Sequence, residues 1–274
     1  MAKKLKAVLE VTLFIAVLMV FAHWSISKVA TRFGGTIGNI YLGLLWAVPP
    51  LLYLLVAKKG LSFYGLDLRR AGRRSVHCGF WGLVLCLVQA PGFVAWAMLG
   101  ASGIVILYGC VIASIVLLLR VLKAEPARPR IGWKIATLIL LLVLPSVVAT
   151  LRGKAVLQII GWQVFYLLAV GLGEELRSRG YVQSRLNEAF GRPWTIWGTR
   201  FGPGLLIDSV IFGLPHVYQI GASGPNVLIG IGAALGGLFY GIVRERAESV
   251  WASALVHGVN TAAFEIYRHI FVMH

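Results

Sequence analysis

Charge is scarce in this sequence. Only 13% of its 274 residues are charged, with ten acidic residues against 26 lysines and arginines. A soluble domain carries about 25% charge, so a freely soluble globular fold is excluded. Cysteine is sparser still. Cys78, Cys86 and Cys110 are odd in number, sit in or beside apolar segments, and form no CxxC or Cys/His zinc pattern. That leaves them a packing role and excludes a disulfide framework. The apolar runs do not alternate with polar residues, which removes a transmembrane barrel. No internal repeat relates the two halves, which argues against an inverted-repeat transporter.

What is present is apolar length. Hydrophobic residues make up 58% of the chain, and its mean hydropathy is +0.82. Several runs approach the ~20 residues that cross a ~30 Å hydrocarbon core. In lipid, helices and closed barrels alone satisfy every backbone group internally. The expected fold is therefore all-α, a polytopic transmembrane helical bundle of eight to nine spans. The spans are read near residues 7–24, 36–57, 79–99, 102–122, 134–151, 155–175, 204–220, 226–243 and 249–272. The third is the weakest, interrupted by Pro91 and Gly92. The first is read as a span rather than a cleaved signal peptide.

The net charge of +16 is distributed as a topology signal, not as a nucleic-acid surface. Lys3, Lys4, Lys6, Lys58, Lys59, Arg69, Arg70, Arg73, Arg74, Arg120, Lys123, Arg128, Arg130 and Lys134 fall on one side of a nine-span arrangement. So do Arg177, Arg179, Arg185, Arg192, Arg200, Arg244 and Arg246, making 21 of the 26 basic residues. Lys28, Arg32, Arg152, Lys154 and Arg268 fall on the other. The positive-inside rule then places the N-terminus and the 58–78 and 120–134 connections in the cytoplasm. Anionic lipid is the partner expected for this charge, and no nucleic acid is expected. The segment Gly65-Leu66-Asp67-Leu68-Arg69-Arg70 reads as a stretch lying on the membrane surface.

The chain divides into residues 1–150, N-terminal transmembrane helices in which Glu10 is nearly alone as an intramembrane ionisable group, and residues 151–274, where polar residues lie at membrane depth. Such residues are expensive in lipid and mark functional sites. Three clusters stand out. Glu174-Glu175-Leu176-Arg177-Ser178-Arg179 ends an apolar helix, and the four-residue spacing lets Glu175 pair with Arg179 while Glu174 points elsewhere. Its bland reading is a helix end with snorkelling charges. Phe212-Gly213-Leu214-Pro215-His216 places an imidazole in an apolar span, where a packing histidine is the bland reading. Asp208 is about 12 Å away along that helix, too far to partner His216. His257-Gly258-Val259-Asn260 puts an imidazole and a carboxamide on one face of the last span. Brought together, Glu174, His216 and His257 could surround one water or one metal. A carboxylate in a dry site is a general base, and two imidazoles hold a metal or an oxyanion.

In order and spacing, Glu174-Glu175-x-x-x-Arg179, Phe212-x-x-x-His216 and His257 followed by Asn260 resemble the CPBP family of intramembrane proteases, which includes the CAAX proteases and the bacteriocin-processing (Abi) proteases. The resemblance covers roughly residues 155–270. It implies a membrane-embedded peptidase acting on a membrane-associated peptide or protein, CAAX-type or related. It implies Glu174 as the base that activates water, His216 and His257 as its partners, Glu175–Arg179 as a structural pair, Phe212 as a structural residue and Asn260 as a carbonyl-orienting group. A bound zinc or other divalent metal held by His216, His257 and Glu174, and a metal-free glutamate-activated water, are both compatible with it. One departure is visible. The family pattern places Asn four residues after the histidine, where this chain has Thr261.

Other readings fit less of the sequence. No His-Glu-x-x-His occurs, against a site-2-type zinc protease. Gly221-Ala222-Ser223-Gly224 matches the GxSG of rhomboid serine proteases but lies in a Gly/Pro-rich turn, and leaves Glu174, Glu175 and His216 unexplained. A non-catalytic immunity or scaffold protein keeping the motifs is the principal alternative, and a proton-relay transporter a weaker one. The spacings Gly232-x-x-x-Gly236 and Gly237-x-x-x-Gly241 read as packing surfaces.

Overall fold

The computed structural model describes residues 1–33, 35–67, 72–123, 129–153, 156–217 and 226–271. Arg69, Arg70, Arg128, Lys154 and the Gly221–Gly224 turn with Ser223 lie outside them. Long helices follow one another: α1 (Ala2–Phe33), α2 (Gly35–Val56), α3 (Arg73–Cys86), α4 (Ala90–Leu99), α5 (Ala101–Lys123), α6 (Gly132–Leu151) and α7 (Val156–Phe165). The chain runs on from α7 through Tyr166–Leu172, α8 (Gly173–Glu175) and Leu176–Gln183 into α9 (Ser184–Phe190). A hairpin of β1 (Trp194–Ile196) and β2 (Thr199–Phe201) precedes α10 (Pro203–Val217), α11 (Val227–Ala247) and α12 (Val250–Phe271).

Six of these helical stretches are long and apolar enough to cross a membrane: Ala2–Phe33, Arg73–Trp96, Ala101–Lys123, Gly132–Leu151, Val156–Phe190 and Val227–Ala247. Ile40–Val56 and Pro203–Val217 are shorter apolar helices. The protein is an integral membrane helical bundle. Its outer surface carries exposed Leu13, Val17, Val20, Ile139, Leu140 and Val143, side chains that lipid solvates.

Two expectations need correction. The span read as ending near residue 175 continues as helix to Phe190, so Glu174 and Glu175 lie mid-helix. Gly65 and Leu66 do not rest on the membrane surface: Leu66 is buried beside Val250 and Tyr181, and the Gly65 carbonyl accepts from the Val250 amide at 2.9 Å. The proline expected to interrupt the third span sits in the first turn of α4, where a missing N–H costs nothing. The short β hairpin was not anticipated.

In lipid, helices associate through close packing and interhelical hydrogen bonds. Gly171 and Gly258 show this most sharply. A Cβ on Gly171 would lie 2.6 Å from the Gly258 Cα, and one on Gly258 would lie 2.9 Å from the Leu167 Cα. Backbone therefore meets backbone where α12 crosses Tyr166–Leu172, and the neighbour of Gly258 is His257. Of the two glycine pairs in α11, Gly237 and Gly241 pack against Phe212 and Leu205, whereas Gly232 and Gly236 have no neighbour closer than a tyrosine ring. Glu10, the intramembrane acid of α1, is paired: Arg185 donates to its two oxygens at 3.0 and 2.8 Å, and Tyr53 donates to it as well. This ties α1 and α2 to α9.

Candidate active site

Glu174 and Glu175 occupy three residues of ordinary helix between two stretches, Tyr166–Leu172 and Leu176–Gln183, that are wound more widely as π-helix. Such widening is rare and concentrates at functional sites. It holds more residues per turn and so turns side chains that an α-helix would spread apart toward one neighbour. Ser184 shows the wider winding, its hydroxyl donating to the Arg179 carbonyl five residues back at 2.8 Å.

Glu175 is fully buried. Its Oε1 lies 2.9 Å from Arg179 Nη1 and 3.2 Å from His257 Nδ1. The pair expected from spacing is present, and the snorkelling alternative is not. Arg179, also fully buried, does more than close that pair. Its Nη2 donates to the Gly237 carbonyl at 2.6 Å, its Nε lies 3.6 Å from Asp208 Oδ2, and its guanidinium centre sits 4.4 Å above the Phe212 ring. One side chain thus joins the motif helix to α10, α11 and, through Glu175, α12. Gly237 lies close to both groups: a Cβ would come 3.2 Å from Arg179 Nη2 and 3.3 Å from Phe212, so a larger residue would press on them.

Phe212 is the hub of the aromatic groups. His216 and His257 place their rings 5.2 and 5.6 Å from its centroid. His216 Nδ1 bonds the Phe212 carbonyl at 2.9 Å, in a turn where Pro215 has no N–H to donate. This commits Nδ1–H of a neutral ring and leaves Nε2 as a free acceptor. His257 is constrained likewise. Nδ1 faces Glu175, and the opposite nitrogen is free. Its ring stacks on Tyr240 at 4.6 Å and 18°. Asn260 is not aimed at either histidine. Its Nδ2 donates to the Tyr240 hydroxyl at 3.1 Å.

Glu174 is half-buried and, among the described residues, makes no hydrogen bond or ion pair. It is near enough to His216 and to Arg177 for its charge to act on both, and His216 and His257 are near enough to act on each other. His216 and His257 thus flank Phe212, with the charge of Glu174 near His216. They do not form a metal cage: among the described residues no group of three His, Cys, Asp or Glu side chains is placed to hold an ion. The expected donor set, as placed among the described residues, does not fit a three-ligand metal site.

Sequence reasoning missed Asp208 as a partner of Arg179, and it missed Tyr240 altogether. Asp208 had a signal, an acid in an apolar helix, but its partner is on another element. Tyr240 had none, since one aromatic among the glycines of α11 is ordinary until its neighbours are known.

Residues 156–263 match the model of the family described as Type II CAAX prenyl endopeptidase Rce1-like. That segment, a little under two fifths of the chain, is similar to the type II CAAX prenyl endopeptidases. The match spans the three motifs, the π-wound helix and both histidines that flank Phe212. No curated protein and no solved structure was found to match the chain.

Proposed function

We propose that the protein is an intramembrane endopeptidase that hydrolyses a peptide bond in a membrane-associated substrate of CAAX type or related, using a water activated by Glu174. The observation that supports it best is the contrast between the two adjacent carboxylates. Glu175 is buried and occupied by Arg179 and His257, whereas Glu174 is half-buried, unpaired and close to His216. A general base has to be unoccupied and within reach of its water.

The reaction follows from these roles. Water sits between Glu174 and the free Nε2 of His216. Glu174 takes one proton as the oxygen attacks the scissile carbonyl carbon. The carbonyl becomes an oxyanion beside His257, Tyr240 and Asn260. Tyr240 accepts from Asn260 and so keeps its own O–H free to donate. When His257 is protonated, its Nε2–H is a second donor, and Glu175 stabilises that charge and fixes the ring as a carboxylate does in a catalytic triad. The carbon–nitrogen bond then breaks, and Glu174 returns its proton to the leaving amine. Residues 151–274 carry this core, and residues 1–150 supply the helices around it. The site opens toward the cytoplasm, the side given by the basic connections. The deciding experiment replaces Glu174 with Ala and follows cleavage of a membrane-anchored CAAX-type peptide. Unchanged turnover overturns the reading, and absence of cleavage by wild type across such peptides favours a non-catalytic immunity or scaffold role.

A further inference from the structure

At the end of the bundle where α5 and α11 finish in basic residues, the β1–β2 hairpin turns through Trp197-Gly198, with φ of +46° and +77°. Positive φ at both central residues is a type I′ turn, which favours Asn, Asp or Gly. A tryptophan there is a strained choice, and strain of this kind points to a use for the side chain. Trp194, Ile196 and Trp197 are all exposed. The hairpin is nevertheless firmly held. Arg246 donates to the Gly198 carbonyl at 2.7 Å and also to the Leu122 carbonyl, and Arg120 lies 5.2 Å from the Trp197 ring.

Behind the hairpin is a cavity of about 420 Å³ lined by Phe63, Arg192, Arg200, Arg244, Glu245 and Glu248. Its acids are engaged. Glu245 accepts from Arg192 at 2.7 Å, Arg244 at 3.2 Å, Gln183 at 2.7 Å and Asn187 at 2.7 Å. Glu248 pairs with Arg74 at 3.1 Å. The balance is positive, with Arg200 on β2 unpaired among the described residues. Arg244 is buried, and its Nε has no hydrogen-bond partner.

We propose that this cavity binds the phosphodiester of an anionic phospholipid, with the hairpin anchored in the headgroup layer beside it. Guanidinium forks match phosphate oxygens in geometry as well as charge. Tryptophan seeks the headgroup level. A soluble anion would need the arginines but not the apolar tip, which is why the occupant is a lipid. Cleavage of a peptide has no part in this inference, so it stands or falls separately from the proteolytic reading.

The test uses the full chain in nanodiscs of phosphatidylcholine with and without phosphatidylglycerol, then in mild detergent, with bound lipid read by native mass spectrometry. Wild type retains phosphatidylglycerol in preference to phosphatidylcholine. Arg200→Gln, at an exposed position, lowers that retention about fivefold, the effect of one basic residue at an anionic surface. Trp197→Gly relieves the turn, so it lowers retention without lowering the unfolding temperature. Wild-type retention by both variants, or equal retention of the two lipids, overturns the proposal. Displacement of the lipid by inorganic phosphate, with the same thermal stabilisation, makes this a free-phosphate site and overturns it also.

Discussion

His257 directs Nδ1 at Glu175 Oε1, 3.2 Å away. The same oxygen is 2.9 Å from Arg179 Nη1, so the ion pair that holds the helices together also sets the orientation of an imidazole in the site. On the proposed mechanism stability and chemistry are coupled through one carboxylate, and mutations around it should separate into those that cost both and those that cost turnover alone.

Arg179→Ala belongs to the first group. It strands Glu175 and Asp208 without their cation and removes the bond to Gly237. Leaving a buried charge unpaired costs about 3–5 kcal/mol. The variant should accumulate poorly in membranes and unfold at a lower temperature in detergent. If it is as abundant and heat-resistant as wild type and loses only turnover, Arg179 contacts substrate instead.

Glu174→Gln belongs to the second. Glu174 makes no hydrogen bond or ion pair among the described residues, so a neutral isostere should leave abundance and unfolding temperature near wild type. Cleavage should fall on the order of 10²–10⁴-fold, the yield of a positioned general base. Glu175→Gln should instead lose both, since Arg179 and His257 depend on its charge. Equal instability of the two variants would undo the division of labour between these neighbours.

The sequence made the helical bundle legible because membrane spans announce themselves by length of apolar run, and six of the helical stretches are long and apolar enough to cross a membrane. It made Glu175–Arg179 legible because four residues along a helix is a local relationship. It hid whatever depended on other elements. Arg177, Arg179, Arg185, Arg244, Arg246 and Lys134 read as charges of flanking connections, yet all six are buried. Several of them make ion pairs or carbonyl contacts inside the bundle, so the topology signal rests on the remaining basic residues. The π-winding on either side of Glu174 has no compositional mark, since the same apolar residues build α and π turns. Asn260 was expected at a substrate carbonyl, and the contact its amide makes in the structure, a hydrogen bond donated to the Tyr240 hydroxyl, depends on α11 and so was hidden.

Tyr240→Phe tests that last contact. The ring stack on His257 is kept, and the hydroxyl that accepts from Asn260 is lost. If this hydroxyl donates to the oxyanion, kcat should fall on the order of 10²-fold, as for loss of one such donor, with KM little changed. The double variant with Asn260→Ala should then cost less than the sum of the two single changes, because the pair acts as a unit. A fall in KM-dependent affinity alone, or in unfolding temperature alone, would leave Tyr240 as a packing residue.

The proposed orientation rests on the exposed basic residues near the ends of α1, α2 and α5. In a variant lacking Cys78, Cys86 and Cys110, Ala71→Cys should resist an impermeant thiol reagent applied to intact cells, and Arg152→Cys should react. The reverse pattern inverts the protein in the membrane and places the site opening on the other face.

The last prediction concerns the nucleophile. If water attacks directly, no covalent intermediate forms and none can be intercepted. A peptide cleaved in the presence of hydroxylamine should yield the free carboxylate and no hydroxamate, whereas an acyl-enzyme would partition to hydroxamate. A serine-directed phosphonate should leave the enzyme active. Labelling of Ser223 with loss of activity, alongside full activity of Glu174→Ala, would replace the water mechanism with a serine one. Chelation addresses the remaining version of the same step. Among the described residues Glu174, His216 and His257 form no three-donor cage, so prolonged treatment with a strong chelator should leave cleavage unchanged. Inactivation that zinc reverses would show that binding of substrate or metal draws the three together into a site that the free protein does not hold, and would make the attacking water a metal-bound one.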